Sequence, residues 1–313
     1  MTTARPVFNG FDPPKQRISL ELGAFSAEIW PELGGAVASF EHHLDGGVAK
    51  QVFRRTREKA RYEPYDLACW PLVPYPNRIK NGRFQFGGRH YQLPLNHEGV
   101  THPLHGLGWL RAWEVVEQRR DRCSIQLVHR ASAAWPFSFT AGQLFVLTAR
   151  GLEIQLTITN DSSEPMPYGL GQHPYIERPQ GTRVQAEVNG VWLTDEHLVP
   201  TIHTVLPPQW DLRKGFELDG TFMDNCFDGL KGDATVLWPD GSRLVIGSSP
   251  NMGFLVVYNE PNESYVCIEP VSHMTDAINF AADGYIDTGL EVLAPYASVS
   301  STHRFHSHPS PTR

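Results

Sequence analysis

Short runs that alternate polar with apolar residues recur along almost the whole chain, each closed by Gly, Pro, Asn or Asp. They occupy residues 19–22, 27–30, 36–40, 113–116, 124–128, 143–147, 152–158, 235–238, 243–246 and 254–258. A period of two sends successive side chains to opposite faces, so each run reads as a strand with one face turned to a core. No stretch carries the 3.6-residue period of a long amphipathic helix. The 25 Pro and 27 Gly punctuate the runs rather than cluster, which makes them turn residues. Gly87-Gly88, between Phe84-Gln85-Phe86 and His90-Tyr91-Gln92-Leu93, is the clearest hairpin signal. No Pro- or Ser-rich linker divides the chain. The pattern predicts an all-β protein, one large antiparallel β-sandwich over residues 17–304, with an extended or mobile arm at residues 1–16 and a polar tail at residues 305–313.

Hydrophobic residues at 41% suffice for a packed core, and charged residues at 19% are too few for a disordered chain. The net charge of −7, with no cationic cluster beyond pairs and triplets such as Arg54-Arg55, argues against nucleic acid as the main partner. Cys69, Cys123, Cys226 and Cys267 lie far apart without a Cys-x-x-Cys pair, so neither a disulfide framework nor a thiolate zinc site is expected. No apolar leader follows Met1, and no apolar run approaches membrane-spanning length. A soluble cytoplasmic monomer or homodimer, with no membrane partner, is the expectation.

Four segments hold residues suited to chemistry. Asn77-Arg78 follows the proline-stiffened stretch 71–76, where an Arg can offer its fork of donors to hydroxyls or a carboxylate; a surface turn is the plainer reading. His97, His102 and His105 fall within nine residues, which raises a cupin-like metal site, but their spacings with Pro103 between fit ligands on one side poorly, and no metal is expected. His105 precedes Gly106, which allows close backbone approach and suits a pocket residue. His173, in Gly171-Gln172-His173-Pro174-Tyr175, reads as terminating a strand, a place suited to general acid chemistry near neutral pH. Glu269 closes the apolar run Tyr265-Val266-Cys267-Ile268 before Pro270; a carboxylate there is either paired with an arginine or functional.

With these pieces in view, the chain resembles the aldose 1-epimerase (mutarotase) family over about residues 22–295. The landmarks stand in the family's order: Asn77-Arg78-Ile79, Gly82-Arg83-Phe84, Tyr91-Gln92-Leu93 and Asn96, Leu104-His105-Gly106, Gly171-Gln172-His173-Pro174-Tyr175, Asp211-Leu212-Arg213, Asp224-Asn225-Cys226-Phe227 and Cys267-Ile268-Glu269-Pro270. The resemblance implies a galactose mutarotase-like supersandwich with Glu269 as general base, His173 as general acid and His105 assisting at the ring oxygen. It implies that Arg78, Asn77 and Asp224 hold sugar hydroxyls beside Tyr175, and that no cofactor is needed. Pro174 and Pro270 depart from the classical galactose mutarotases and leave the sugar open.

The chemistry agrees with these residue types. Opening a cyclic hemiacetal removes a proton from the anomeric hydroxyl while protonating the ring oxygen, and a carboxylate and an imidazolium on opposite sides of that atom pair can do both. Trp70, Trp109 and Tyr175 are near enough in sequence to offer aromatic platforms, though core packing suits the tryptophans as well. An anionic hexose, with a 6-phosphate or 6-sulfonate met by Arg54, Arg55, Lys80 or Arg83, is an alternative substrate. A non-catalytic carbohydrate-binding sandwich, and a glycosidase using Asp224 with Glu269, are the other readings.

Overall fold

The computed structural model of the chain describes residues 8, 10–44 and 46–310. Two large antiparallel sheets face each other. The first is twelve-stranded, and its path runs Ile18–Leu22, Phe25–Trp30, Ala36–His43, Cys69–Leu72, Gly171–Pro174, Tyr265–Val271, Phe254–Asn259, Met223–Asp228, Gly190–Thr194 and Pro200–Val205. The second has nine strands, with Ser298–His308, Gly151–Asn160 and Phe139–Thr148 at its centre. Among the described residues, helix is confined to short 3-10 turns and the six-residue Ala277–Ala282, as the missing 3.6 period predicts. The expected hairpin is present: Arg83–Phe86 pairs with Arg89–Gln92 across Gly87-Gly88, whose φ values of 56° and 74° match a turn with two left-handed positions.

The period of two sorts the first sheet into an inner and an outer face. Val266 and Ile268, Leu255 and Val257, and Met223 and Phe227 turn inward to the core shared with the second sheet. The alternate residues Tyr265 and Cys267, Phe254 and Val256, and Cys226 turn outward, into a smaller aromatic cluster with Trp70, Trp109 and Tyr175. Asp224 and Glu269 have the outward parity. Gln172 has the inward one, and its amide reaches Gln143 of the second sheet at 3.1 Å, so a buried polar bridge ties the sheets behind the outward-facing His173.

The sheet is incompletely zipped at this point. Tyr265–Val271 pairs with Gly171–Pro174 only at Val271 and with Ile176–Glu177 only at Tyr265 and Val266. The span between is open on that side, and His173 and Glu269 stand across it. Both strands run slightly further than expected: His173 lies inside a strand ending at Pro174, and Glu269 inside one ending at Val271. Pro270 is tolerated within a strand because the ladder has no partner on that side over the span.

The termini differ from the expectation more clearly. Ser298–His308 is one eleven-residue strand between Gly151–Asn160 and Arg243–Ser248, so the expected tail at residues 305–313 begins no earlier than Pro309. Phe305 is fully buried and meets Phe53 edge-on at 4.9 Å between centroids. Burying such a ring stabilises by about 1.5–3 kcal/mol, which outweighs the polar character of its neighbours. Of the expected arm, residues 1–7 and 9 lie outside the described residues, and Phe11 pairs with Tyr62 on the body.

Candidate active site

All seven residues expected at the site line one cavity of about 350 Å3: Asn77, Arg78, His105, His173, Tyr175, Asp224 and Glu269. They come from five separate parts of the sequence, brought together because the strands carrying His173, Glu269 and Asp224 are near neighbours on the outer face of one sheet. The rest of the lining is largely apolar or aromatic, including Leu104, Leu198, Phe222, Tyr65, Tyr258 and Tyr265. None of these six was given a place in the site from the sequence, where a Tyr or Leu carries no sign of facing a cavity rather than a core.

His105 is held by backbone geometry. It has φ of 56°, and its backbone amide donates to the Asn77 carbonyl at 2.8 Å. The Asn77 backbone N–H donates in turn to His105 Nδ1 at 3.0 Å. With Nδ1 accepting, the proton of the neutral ring sits on Nε2. Asn96, a family landmark given no task above, clamps this loop: its amide nitrogen donates to the carbonyls of Leu104 and Gly106, and its oxygen accepts from the Leu104 amide. Gly106 itself has φ of 69°, and a Cβ there would stand 2.4 Å from the Val73 carbonyl oxygen. Gly106→Ala is therefore expected to destabilise the protein, with about 1–3 kcal/mol from the backbone conformation alone. Denaturant unfolding checks this, and an unchanged midpoint would contradict it.

Arg78 and Asp224 form a polar pair beside the acid–base residues. The Arg78 guanidinium donates to Asp224 at 3.3 Å and to the Asn77 side-chain oxygen at 3.0 Å. That oxygen also accepts from the Arg78 backbone amide, so Asn77 fixes the arginine from two directions. Burial pushes the Asp224 carboxyl up, and Arg78 offsets part of the rise.

His173 and Glu269 lie side by side, Nε2 to Oε1 3.3 Å, rather than on opposite sides of a substrate atom pair. The imidazole is stacked between Trp70, 4.1 Å between centroids, and Tyr175, 5.0 Å. This sandwich sets the ring plane, and its Nδ1 makes no hydrogen bond. Trp70 and Trp109 are fully buried and do not line the cavity, so they back the site rather than serve as platforms; Tyr175 does line it. Burial pushes the Glu269 carboxyl well above the usual carboxylate range, the Asp224 charge adds to the rise, and Arg78 opposes it. Burial also lowers His173, to about 3, and holds His105 well below the ordinary imidazole value.

The four cations considered for an anionic sugar lie elsewhere. Arg54 packs its guanidinium on the rings of Tyr175 and Tyr265, at 4.1 and 4.6 Å, and donates to backbone carbonyls. Arg55 pairs with Glu41, while Lys80 and Arg83 line a separate groove beside Asp276. His97 bonds to the Glu98 carbonyl and Glu63, and His102 accepts from the Asn81 amide, so neither joins His105. The described residues with metal-ligand spacing are instead His173, Cys267 and Glu269, a grouping the sequence did not suggest. All four cysteines are free and buried, in line with the absence of paired spacings.

A profile of the family described as aldose 1-epimerase matches residues 16–306. The chain belongs to the aldose 1-epimerase family. It is 33% identical over 270 residues to the uncharacterized protein YphB of Escherichia coli K12, covering 82% of this chain and 91% of that one. It is 27% identical over 281 residues to YihR of the same organism, covering 86% and 87%. Among solved structures it resembles an Escherichia coli K12 protein described as a candidate aldose 1-epimerase, with a TM-score of 0.84 and 28% identity over 94% of this chain and 99% of that one. A galactose mutarotase-like protein from Clostridium acetobutylicum shares the fold, with a TM-score of 0.81 at 23% identity over 93% and 94%. Membership of an epimerase family supports an isomerase. Among the described residues, no helix is long and apolar enough to cross a membrane.

Proposed function

We propose that this aldose 1-epimerase family member is a mutarotase that interconverts the α and β anomers of a neutral aldose without a cofactor. The observation that carries the reading is the buried carboxylate–imidazole pair of Glu269 and His173, 3.3 Å apart on the cavity wall. The anomeric hydroxyl and the ring oxygen are bonded to the same carbon, so two groups standing side by side reach both. Glu269 takes the hydroxyl proton, the bond from C1 to the ring oxygen breaks, and His173 delivers its proton to that oxygen. Burial favours Glu269 protonated and His173 neutral, so the pair first passes its one proton from Glu269 to His173 across 3.3 Å, and the opening step returns the pair to the favoured form. Rotation about C1–C2 and the reverse transfers close the ring on its other face. His105, neutral and donating through Nε2, supports the ring oxygen, while Arg78, Asn77 and Asp224 bind hydroxyls.

A neutral sugar suits the charge of the lining. Among the described residues it holds one guanidinium, Arg78, paired with the Asp224 carboxylate, and the Glu269–His173 pair with its one proton is neutral overall. A 6-phosphate or 6-sulfonate would meet no unpaired cation among the described residues of the lining. Anomer exchange measured by NMR across neutral and 6-substituted aldoses tests the reading. Acceleration of at least one neutral aldose is expected; acceleration confined to anionic hexoses overturns the neutral assignment, and none anywhere overturns the activity. Arg78→Met removes charge-assisted hydrogen bonds of about 1.5–3 kcal/mol each, so KM should rise about 10- to 100-fold. Initial rates over a range of sugar concentrations check this.

The shared proton also sets a pH profile. Glu269 and His173 titrate as a pair, active when they hold one proton between them. A second proton is resisted because burial lowers His173 to about 3, and loss of the single proton is deferred because Glu269 is raised. After subtraction of the uncatalysed rate, kcat/KM should therefore be flat as pH falls through 6.5 and decline only in strong acid or at alkaline pH. An inflection near 6.5, the value of an unperturbed imidazole, would contradict a buried pair.

A further inference from the structure

Cys267 precedes Glu269 by two residues on one strand, so both side chains face outward. One ligand atom each from His173, Cys267 and Glu269 lie within 4.8 Å of one another. The His173 Nε2 to Glu269 Oε1 distance is 3.3 Å. A zinc ion holds nitrogen and oxygen ligands at about 2.0–2.1 Å, and at a tetrahedral angle two such atoms stand about 3.3 Å apart. The imidazole and carboxylate are thus already spaced as two zinc ligands. Zinc–sulfur bonds of about 2.3 Å ask for a sulfur about 3.5 Å from each of the others, which a side-chain adjustment of roughly an ångström supplies. His173 and Glu269 line the cavity and Cys267 does not, so the fourth tetrahedral position opens toward the cavity. A His–Cys–carboxylate set carries soft and borderline donors, which select zinc-like ions over magnesium or calcium.

We infer that His173, Cys267 and Glu269 form a site for one thiophilic divalent cation such as Zn2+, bound in place of the sugar's anomeric oxygens. Cation and sugar then exclude each other, because both need Glu269 and His173. The binding stands on the geometry alone; the competition rests on the mutarotase reading given above.

The test uses the full chain, stripped with a chelator and titrated with Co2+. One equivalent should produce a thiolate-to-cobalt charge-transfer absorption with tetrahedral d–d bands, and Zn2+ should displace it. Cys267→Ser should abolish the charge-transfer absorption and weaken Zn2+ binding by about a hundredfold, the upper end of what even an outer-shell partner contributes. Cys267→Ala should do the same, and thermal melting of both variants confirms that they fold. In anomer exchange, Zn2+ should raise the apparent KM of the wild-type protein and do so far less for Cys267→Ser, whose metal-free rate should match wild type. Absence of the charge-transfer absorption, or unchanged Zn2+ affinity in both variants, overturns the site. Binding by an active protein without any rise in KM overturns the competition. Binding by a protein with no exchange activity upholds the site and counts against the mutarotase reading instead.

Discussion

Glu269→Gln is expected to lower kcat for anomer exchange by about 10²- to 10⁴-fold, the usual contribution of a positioned general base. The amide has the shape of the carboxylate and lies in the same contacts, but it cannot accept the anomeric proton at any accessible pH. Stability should move little or rise. Burial and the Asp224 charge disfavour an ionised Glu269, and the amide is neutral at every pH. The signature is thus near-complete loss of activity with an unchanged or higher melting temperature. Wild-type exchange rates in this variant would remove Glu269 from the mechanism.

His173→Gln should cost a similar factor in kcat but behave differently in stability. The imidazole fills the gap between Trp70 and Tyr175, and losing a stacked ring forfeits about 0.5–1.5 kcal/mol per aromatic pair beyond its buried area. It also leaves Glu269 without its 3.3 Å partner. A lower melting temperature should accompany the lost activity. The Glu269→Gln/His173→Gln double variant should be about as slow as the slower single variant, because the two groups move one proton in concert. Multiplying losses would mean that they act independently. Melting curves and NMR exchange on the three variants give the full comparison.

The site was legible in unequal parts. Glu269 and His173 carried local signals, a carboxylate in an apolar run and a histidine between glycines and Pro-Tyr, and family resemblance turned those signals into an acid and a base. Their common cavity follows from parity, since Glu269, Asp224 and His173 all occupy outward positions on neighbouring strands. Asn96 was visible only as a landmark. Its clamp on the His105 loop depends on three hydrogen bonds to backbone groups eight and ten residues away. Apart from Tyr175, the aromatic lining was invisible, because Tyr258 and Tyr265 read the same way in sequence whether a tyrosine meets a cavity or a core.

The alternating pattern, the turn residues and the ordered motifs were enough for an all-β chain with a candidate acid, base and sugar ligands. Those are local properties: a period of two, a Gly-Gly turn and a buried-type carboxylate are written in neighbouring residues. Packing settled the rest. It drew Phe305 into the core and extended the last strand past the expected tail, turned Arg54 under two tyrosine rings, and left the sheet open between Val266 and Val271. In that opening, residues nearly a hundred positions apart come to 3.3 Å with a thiol beside them. The distance depends on which strands become neighbours and how far each pair zips, and long-range hydrogen bonding sets both.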